Sequence, residues 1–189
     1  RASGRAAGRA RRSLSTASAA DSFPPDFYFR QITPGQDVAL SNEPLAQVSR
    51  SMANFYYSVG DKSTGEAFLI DACWVVDEVV SAVQDDNMTI VGSLATHFHY
   101  DHIGAASQDF GAGPMRIPGI FELRRRVGLP VHVPEQEVEQ AAKQTGLEVA
   151  DLTPLTDSQC MSVGRFKLEF MHTPGHSPGS MCIRVTGEE

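Results

Sequence analysis

Apolar and polar residues along the chain follow two periods, one belonging to strands and one to helices. Phe166, Leu168 and Phe170 alternate with Arg165, Lys167 and Glu169, the period-two pattern of a strand with one buried face. Val75, Val76, Val79, Val80 and Val83 recur at helical spacing, with Asp77, Glu78, Ser81 and Asp85 on the other side. That stretch predicts an amphipathic helix packed on a sheet, although its β-branched valines lower helix propensity. A second helix starts at Pro134, carries Glu135 and Glu137 in its first turn and ends before Gly146, the Pro-first, Gly-last asymmetry of helix ends. Its inner stripe is Val138, Ala141, Ala142 and Thr145.

Further strands are expected at Phe27–Ile32, Asn54–Val59 and Ala67–Asp71, with the polar turn Asp61–Gly65 joining the last two into a hairpin. The apolar run Ile90–Ala95, inside a strand over 88–95, reads as buried. Leu129–Val133 and Met181–Val185 read as short strands, and Ile120, Leu123 and Val127 as one face of a short helix. Residues 104–118, rich in Gly, Ala and Pro, read as a flexible loop. The strand–helix–strand order over 67–95 places the chain in the α/β (α+β) class, whose ligands sit at the carboxyl ends of strands.

Composition changes this picture at the amino-terminal end. The 189 residues suffice for one domain with a sizeable core. No apolar run approaches the ~18 residues of a membrane-spanning helix. Cys73, Cys160 and Cys182 are far apart, odd in number and without a Cys-x-x-Cys pair, so reduced thiols are expected. The net charge of −7 is unevenly spread: residues 1–20 hold five arginines and no acid, which leaves −12 for the rest. With its Ala and Ser, that arm has the composition of an organelle transit peptide. Residues 1–25, closed by Pro24-Pro25, are expected to be a disordered basic arm, and 26–189 one domain. A mitochondrial or plastid location follows from the arm, and a cytoplasmic one without it. The acidic body disfavours binding to nucleic-acid phosphates. Arg124-Arg125-Arg126 reads as a solvated face, because three consecutive arginines cannot share one pocket. His132 reads as a structural or surface residue.

Candidate chemistry concentrates in Thr96-His97-Phe98-His99-Tyr100-Asp101-His102. His97 and His99 are two apart, so an extended chain points both rings to one side. Neutral imidazoles with a carboxylate suit zinc, and also non-haem iron or manganese. Four potential ligands in six positions beside a buried strand outweigh the alternative of histidines with no ligand.

This stretch resembles the His-x-His-x-Asp-His motif of the metallo-β-lactamase superfamily. His172-Thr173-Pro174-Gly175-His176-Ser177-Pro178-Gly179-Ser180 looks like the turn that supplies that superfamily's next metal ligand. The resemblance runs roughly from Phe27 to the end and implies a partial αββα sandwich, the first half plus the start of the second. It implies that His97, His99 and His176 hold a first metal, and that Asp101 and His102 contribute to a second. Up to two zinc ions are implied, with Fe2+ as the alternative. Three histidines leave one open position, as catalytic zinc requires. Asp71 falls at the acid that ends the third strand near the metal loop, where its implied role is to hold that loop by hydrogen bonds.

Within the superfamily the chain is most like hydroxyacylglutathione hydrolase (glyoxalase II). That likeness implies a metal-bound hydroxide attacking a small-molecule thioester or ester, with Asp101 as the catalytic carboxylate that orients it. Ser180 departs from the pattern, standing where that enzyme often has a second histidine. The alternatives are a mononuclear-iron persulfide dioxygenase and a catalytically inert fragment. A nuclease of the superfamily is disfavoured. The implied partner is a small-molecule substrate, with no nucleic acid and no membrane; no pattern specifies an oligomeric state. The Gly-Asp segment and final histidine of the superfamily do not follow His176. The chain is therefore expected to be truncated at its carboxyl end, with the inner sheet face uncovered and residues 21–189 alone inactive. Placed after an initiator Met and fused to a reporter, residues 1–20 are expected to carry it into mitochondria or plastids, with cleavage between Ser13 and Ala20. Imaging that finds the reporter in the cytosol would contradict the transit-peptide reading.

Overall fold

A computed structural model describes residues 23–37, 43–111 and 113–187. Residues 1–22 of the basic arm lie outside the described residues. In chain order the elements are β1 (Phe27–Ile32), α1 (Glu43–Met52), β2 (Tyr56–Asp61), β3 (Glu66–Ile70), α2 (Val76–Asp85), β4 (Thr89–Leu94), α3 (Tyr100–Ile103), β5 (Ala105–Asp109), β6 (Pro114–Ile117), α4 (Gly119–Glu122), β7 (Val131–Pro134), α5 (Val138–Thr145), β8 (Leu152–Leu155), β9 (Cys160–Val163), β10 (Phe166–His172) and β11 (Met181–Gly187). A π-helical turn, Leu123–Val127, continues α4, and a 3-10 turn, Glu135–Glu137, leads into α5.

Six strands form one mixed sheet in the order β1-β2-β3-β4-β7-β8. The first three are antiparallel, β2 and β3 joined as a hairpin and β1 reached across α1, and β3, β4, β7 and β8 run parallel through helical crossovers. A second, three-stranded antiparallel sheet, β11-β10-β9, faces it. The valine stripe of α2 works as the periodicity predicts: Val76, Val79 and Val83 are buried on the helix side of the large sheet with Leu69, Trp74 and Val131. Between the sheets lies a second apolar layer of Val59, Phe68, Ile70, Leu94, Phe166, Leu168 and Phe170.

That second layer corrects the expectation of an uncovered inner face. Val59, Phe68, Ile70 and Leu94 are buried beneath β9–β11, because the alternating apolar residues of β10 supply a matching face. The loop expected over 104–118 contains a short hairpin, β5–β6, with a register shift between Ala105 and Gln108. Its glycine content had concealed the pairing. Helix α1 and strands β8 and β9 have no counterpart in the sequence reading. In β8 and β9 the buried residues do not alternate: Leu152 and Leu155 are three apart, and β9 buries Val163 alone. All three cysteines are free, Cys73 buried and Cys160 and Cys182 exposed. The arginines of 124–126 pair at the surface with Asp151, Glu122 and Asp77. His132 packs edge-on to Phe68 within the fold. Among the described residues no helix is long and apolar enough to cross a membrane.

Asp61, at the end of β2, fixes one sheet to the other. Its Oδ1 accepts the Ser63 N–H at 2.8 Å and the Ser63 hydroxyl at 2.6 Å, and its Oδ2 accepts the Arg165 N–H at 2.9 Å. Arg165 belongs to the turn between β9 and β10. Gly164 in the same turn has φ +55°, and a Cβ there would lie 2.3 Å from Asp61 Oδ2, so only glycine lets the carboxylate nest. Burial works to raise the Asp61 pKa, but the Arg165 and Ser63 donors outweigh it and hold it below 3.8. A carboxyl with a lowered folded pKa stabilises fully above its unfolded value and loses that contribution as pH falls through the folded value. Asp61→Asn is therefore expected to cost about 2 kcal/mol at pH 7. In urea titrations the gap to the native chain should narrow as the pH drops below 3.8; a gap independent of pH would exclude this role.

Candidate metal centre

The site grows from the carboxyl ends of β3 and β4. Asp71, just past β3, has φ +56°, a left-handed conformation that aspartate tolerates better than most residues and that clusters at functional sites. Its N–H donates to the Leu94 carbonyl at 3.0 Å, tying it to the end of β4. Its Oδ1 accepts the Thr96 N–H at 2.8 Å and its Oδ2 the Thr96 hydroxyl at 2.7 Å. The Ala95 N–H donates to His132 O at 2.9 Å on the neighbouring strand. The chain thus leaves β4 in one fixed direction, with His97 and His99 next.

His97 is 5% exposed, and its Nδ1 lies 3.0 Å from Thr96 Oγ1. Its Nε2 is buried with no hydrogen-bond partner among the described residues, an arrangement that is costly unless something binds there. It faces His99 and His176, and one nitrogen from each of the three rings lies within 4.8 Å of the others. His99 Nδ1 and His176 Nε2 are 2.9 Å apart, close to the roughly 3.3 Å expected of two nitrogens each ~2.0 Å from one tetrahedral zinc. Burial, then the neighbouring His102, push the His97 pKa down to about 4, so its imidazole is neutral at pH 7. Burial and His176 lower that of His99 against the opposing charges of Asp101 and Glu137. Three convergent imidazoles with an orphaned nitrogen among them fit a zinc-class cation.

His102 and Asp101 lie beside this triad rather than in it. The His102 ring is 4.1 Å from that of His97. Its Nδ1 is 3.0 Å from Asp71 Oδ2, and its Nε2 is 3.6 Å from Asp101 Oδ2. Burial works to lower the His102 pKa, but the Asp71 hydrogen bond and the Asp71 and Asp101 charges prevail and raise it. Asp71 thus touches both ends of the motif, bonding Thr96 at its start and lying 3.0 Å from His102 at its end. Asn54, which carried no signal in the sequence, donates from Nδ2 to the Asp101 carbonyl and accepts the Trp74 indole N–H at 3.2 Å. The Met181 N–H donates to the Thr96 carbonyl at 2.9 Å, bringing the start of β11 against the first histidine loop.

The model of the metallo-beta-lactamase superfamily matches residues 52–189, and the chain belongs to that superfamily. Its mixed sheets and helices match metallo-β-lactamase structures and form part of their sandwich. A metallo-beta-lactamase from Staphylococcus aureus superposes with a TM-score of 0.60 at 20% identity, over 86% of this chain and 39% of the other. The chain is similar to the "Probable polyketide biosynthesis zinc-dependent hydrolase BaeB" of Bacillus velezensis, 24% identical over 71% of this chain and 52% of that protein. It is also similar to a hydroxyacylglutathione hydrolase of Bradyrhizobium sp., 28% identical over 66% of this chain and 40% of the relative. The chain thus spans about half the length of the curated relatives it matches.

Removing a ligand and removing a support differ in degree. His176→Ala is expected to abolish stoichiometric zinc binding in a chelator competition. Asp71→Asn, which touches no metal, is expected to weaken binding about 10–100-fold. Native affinity in the Asp71 variant would show that the loop holds its shape without that carboxylate.

Proposed function

We propose that the protein is a zinc-dependent hydrolase of small-molecule thioesters or esters, of the glyoxalase II kind. The observation that carries this reading is the convergence of three imidazoles at the carboxyl end of β4, around an orphaned buried nitrogen. The names of the similar proteins, a zinc-dependent hydrolase and a hydroxyacylglutathione hydrolase, support it. His97, His99 and His176 would hold the cation. When bound, such a cation supplies Lewis acidity, lowering the pKa of a water ligand to ~7 and polarising a carbonyl.

The remaining steps belong to side chains of this chain. Asp101 orients the attacking water and accepts a hydrogen bond from it at Oδ2, the oxygen that lies 3.6 Å from His102 Nε2. Asn54, bonded to the Asp101 carbonyl, fixes the backbone of that residue. Asp71 Oδ2 at 3.0 Å from His102 Nδ1, with Asp101 Oδ2 at 3.6 Å from its Nε2, holds the ring in place beside the site. In this reading Asp101 and His102 offer a carboxylate and an imidazole to a second cation. The body's acidic charge suits a small substrate better than a phosphate backbone.

The test is turnover of S-lactoylglutathione, a simple acyl thioester and an aryl ester by the whole protein, with metal content measured on the same sample. Zinc with thioester or ester turnover is expected, and iron in place of zinc would overturn the reading. Asp101→Asn is expected to lower kcat by about 10²-fold while first-site zinc remains. Unchanged kcat would remove Asp101 from the chemistry.

A further inference from the structure

We propose that Glu137 is a positioning residue of the metal centre, a buried carboxylate that clips the His97–His99 loop to the His176 loop. The proposal rests on the reading of the three histidines as metal ligands. Glu137 closes the 3-10 turn before α5 and is 1% exposed. Its Oε2 accepts the Phe98 N–H at 2.8 Å, and its Oε1 accepts the Gly179 N–H at 2.8 Å. Phe98 is the residue between His97 and His99, and Gly179 lies three residues past His176. One side chain therefore takes one hydrogen bond from each of the two loops that carry the ligands. Its partners are main-chain N–H groups rather than a basic side chain, so the carboxylate is buried as an acceptor of fixed geometry.

Two neighbours show that the contact is built. A Cβ on Gly179 would lie 2.6 Å from Glu137 Cγ and 2.8 Å from Cδ, so the close approach requires glycine there. On the opposite side of Phe98, Gln144 of α5 donates from Nε2 to the Phe98 carbonyl at 2.6 Å and to the Gly104 carbonyl at 3.3 Å. Both peptide groups of the residue between the two histidines are thus held by the α5 segment. A helix-dipole acid at the first turn of α5 would need neither contact and would sit in solvent.

The geometry has a consequence for substitution. A glutamine keeps the size of Glu137 but presents one oxygen and one NH2 group. One of the two loop N–H groups must then face a donor, and the spacing between loops relaxes.

The experiment is cobalt titration of the native chain, Glu137→Gln and Gly179→Ala, each confirmed folded by circular dichroism. Affinity is read by chelator competition and site geometry from the cobalt visible spectrum at saturation. Ala141→Gly, on the buried side of the same helix and hydrogen-bonded to neither loop through its side chain, serves as a destabilised control. Glu137→Gln is expected to weaken cobalt binding at least about 10-fold and to change the intensity of the visible bands. Gly179→Ala, which displaces the carboxylate without removing it, is expected to do the same and decides the matter if Glu137→Gln does not fold. The control should lose thermal stability with its spectrum unmoved. Native affinity and spectrum in the folded variants would overturn the positioning role while leaving the metal centre standing. A native chain that takes up no cobalt would overturn both.

Discussion

His99 and His176 stand 77 residues apart in sequence and 2.9 Å apart in space. The fold can be understood from that requirement. A strand in the middle of the parallel sheet ends at the site and delivers two rings on one side of an extended segment. The second ring system arrives only after the chain has crossed β7, α5 and β8 and entered the facing sheet. The sheet-to-sheet apolar layer, with Phe166, Leu168 and Phe170 on one side and Val59, Phe68 and Leu94 on the other, therefore sets the depth at which His176 meets its partners. At about 25 cal/mol per Å2 of apolar surface removed from water, such a layer is the strongest non-directional force available. Direction has to come from polar contacts.

Those contacts follow one recurring design. Asp61, Asp71 and Glu137 are all buried, and each accepts main-chain N–H bonds from a segment distant in sequence. A carboxylate that loses its water needs donors of fixed geometry, and backbone amides provide them without the entropy loss of a long basic side chain. Asp61 bonds one sheet to the other, Asp71 bonds the exit from β4, and Glu137 bonds both the His97–His99 loop and the His176 loop. Glycines lie against two of the three, because a carboxylate reaching a main chain leaves no room for a Cβ.

The elements with clean periodicity were legible in the sequence: β1, the β2–β3 hairpin, α2, β4 and β10 fall within two residues of their expected bounds. Helix α1 escaped although it is amphipathic, with Leu45, Ala46 and Ser49 on its buried face; β8 and β9 escaped because they are four-residue strands without alternation, stabilised by the sheets they join rather than by their own pattern. The candidate ligands stood out because His97 and His99 fall two residues apart and His176 lies in a distinctive turn. Of the residues around them, Asp71 was singled out through the resemblance, but Asn54 and Glu137 were not. Asn54 reads as a polar residue before a strand. Glu137 reads as an ordinary acid at a helix start, since its role depends on a glycine 42 residues away. Contacts between remote segments leave no mark on local pattern.

Cys73 extends this picture to the behaviour of the folded chain over time. The thiol is wholly buried, donates to the Tyr100 carbonyl at 3.0 Å and sits directly beneath the helical turn that carries Asp101 and His102. Cys160 and Cys182 are open to solvent on the other sheet. Burial also pushes the Cys73 thiol's pKa well up, so little thiolate forms until the segment above it lifts. A thiol-alkylating reagent thus meets two prompt sulfurs and one delayed one, and the delay is a clock for the opening of the segment that carries the motif's carboxylate.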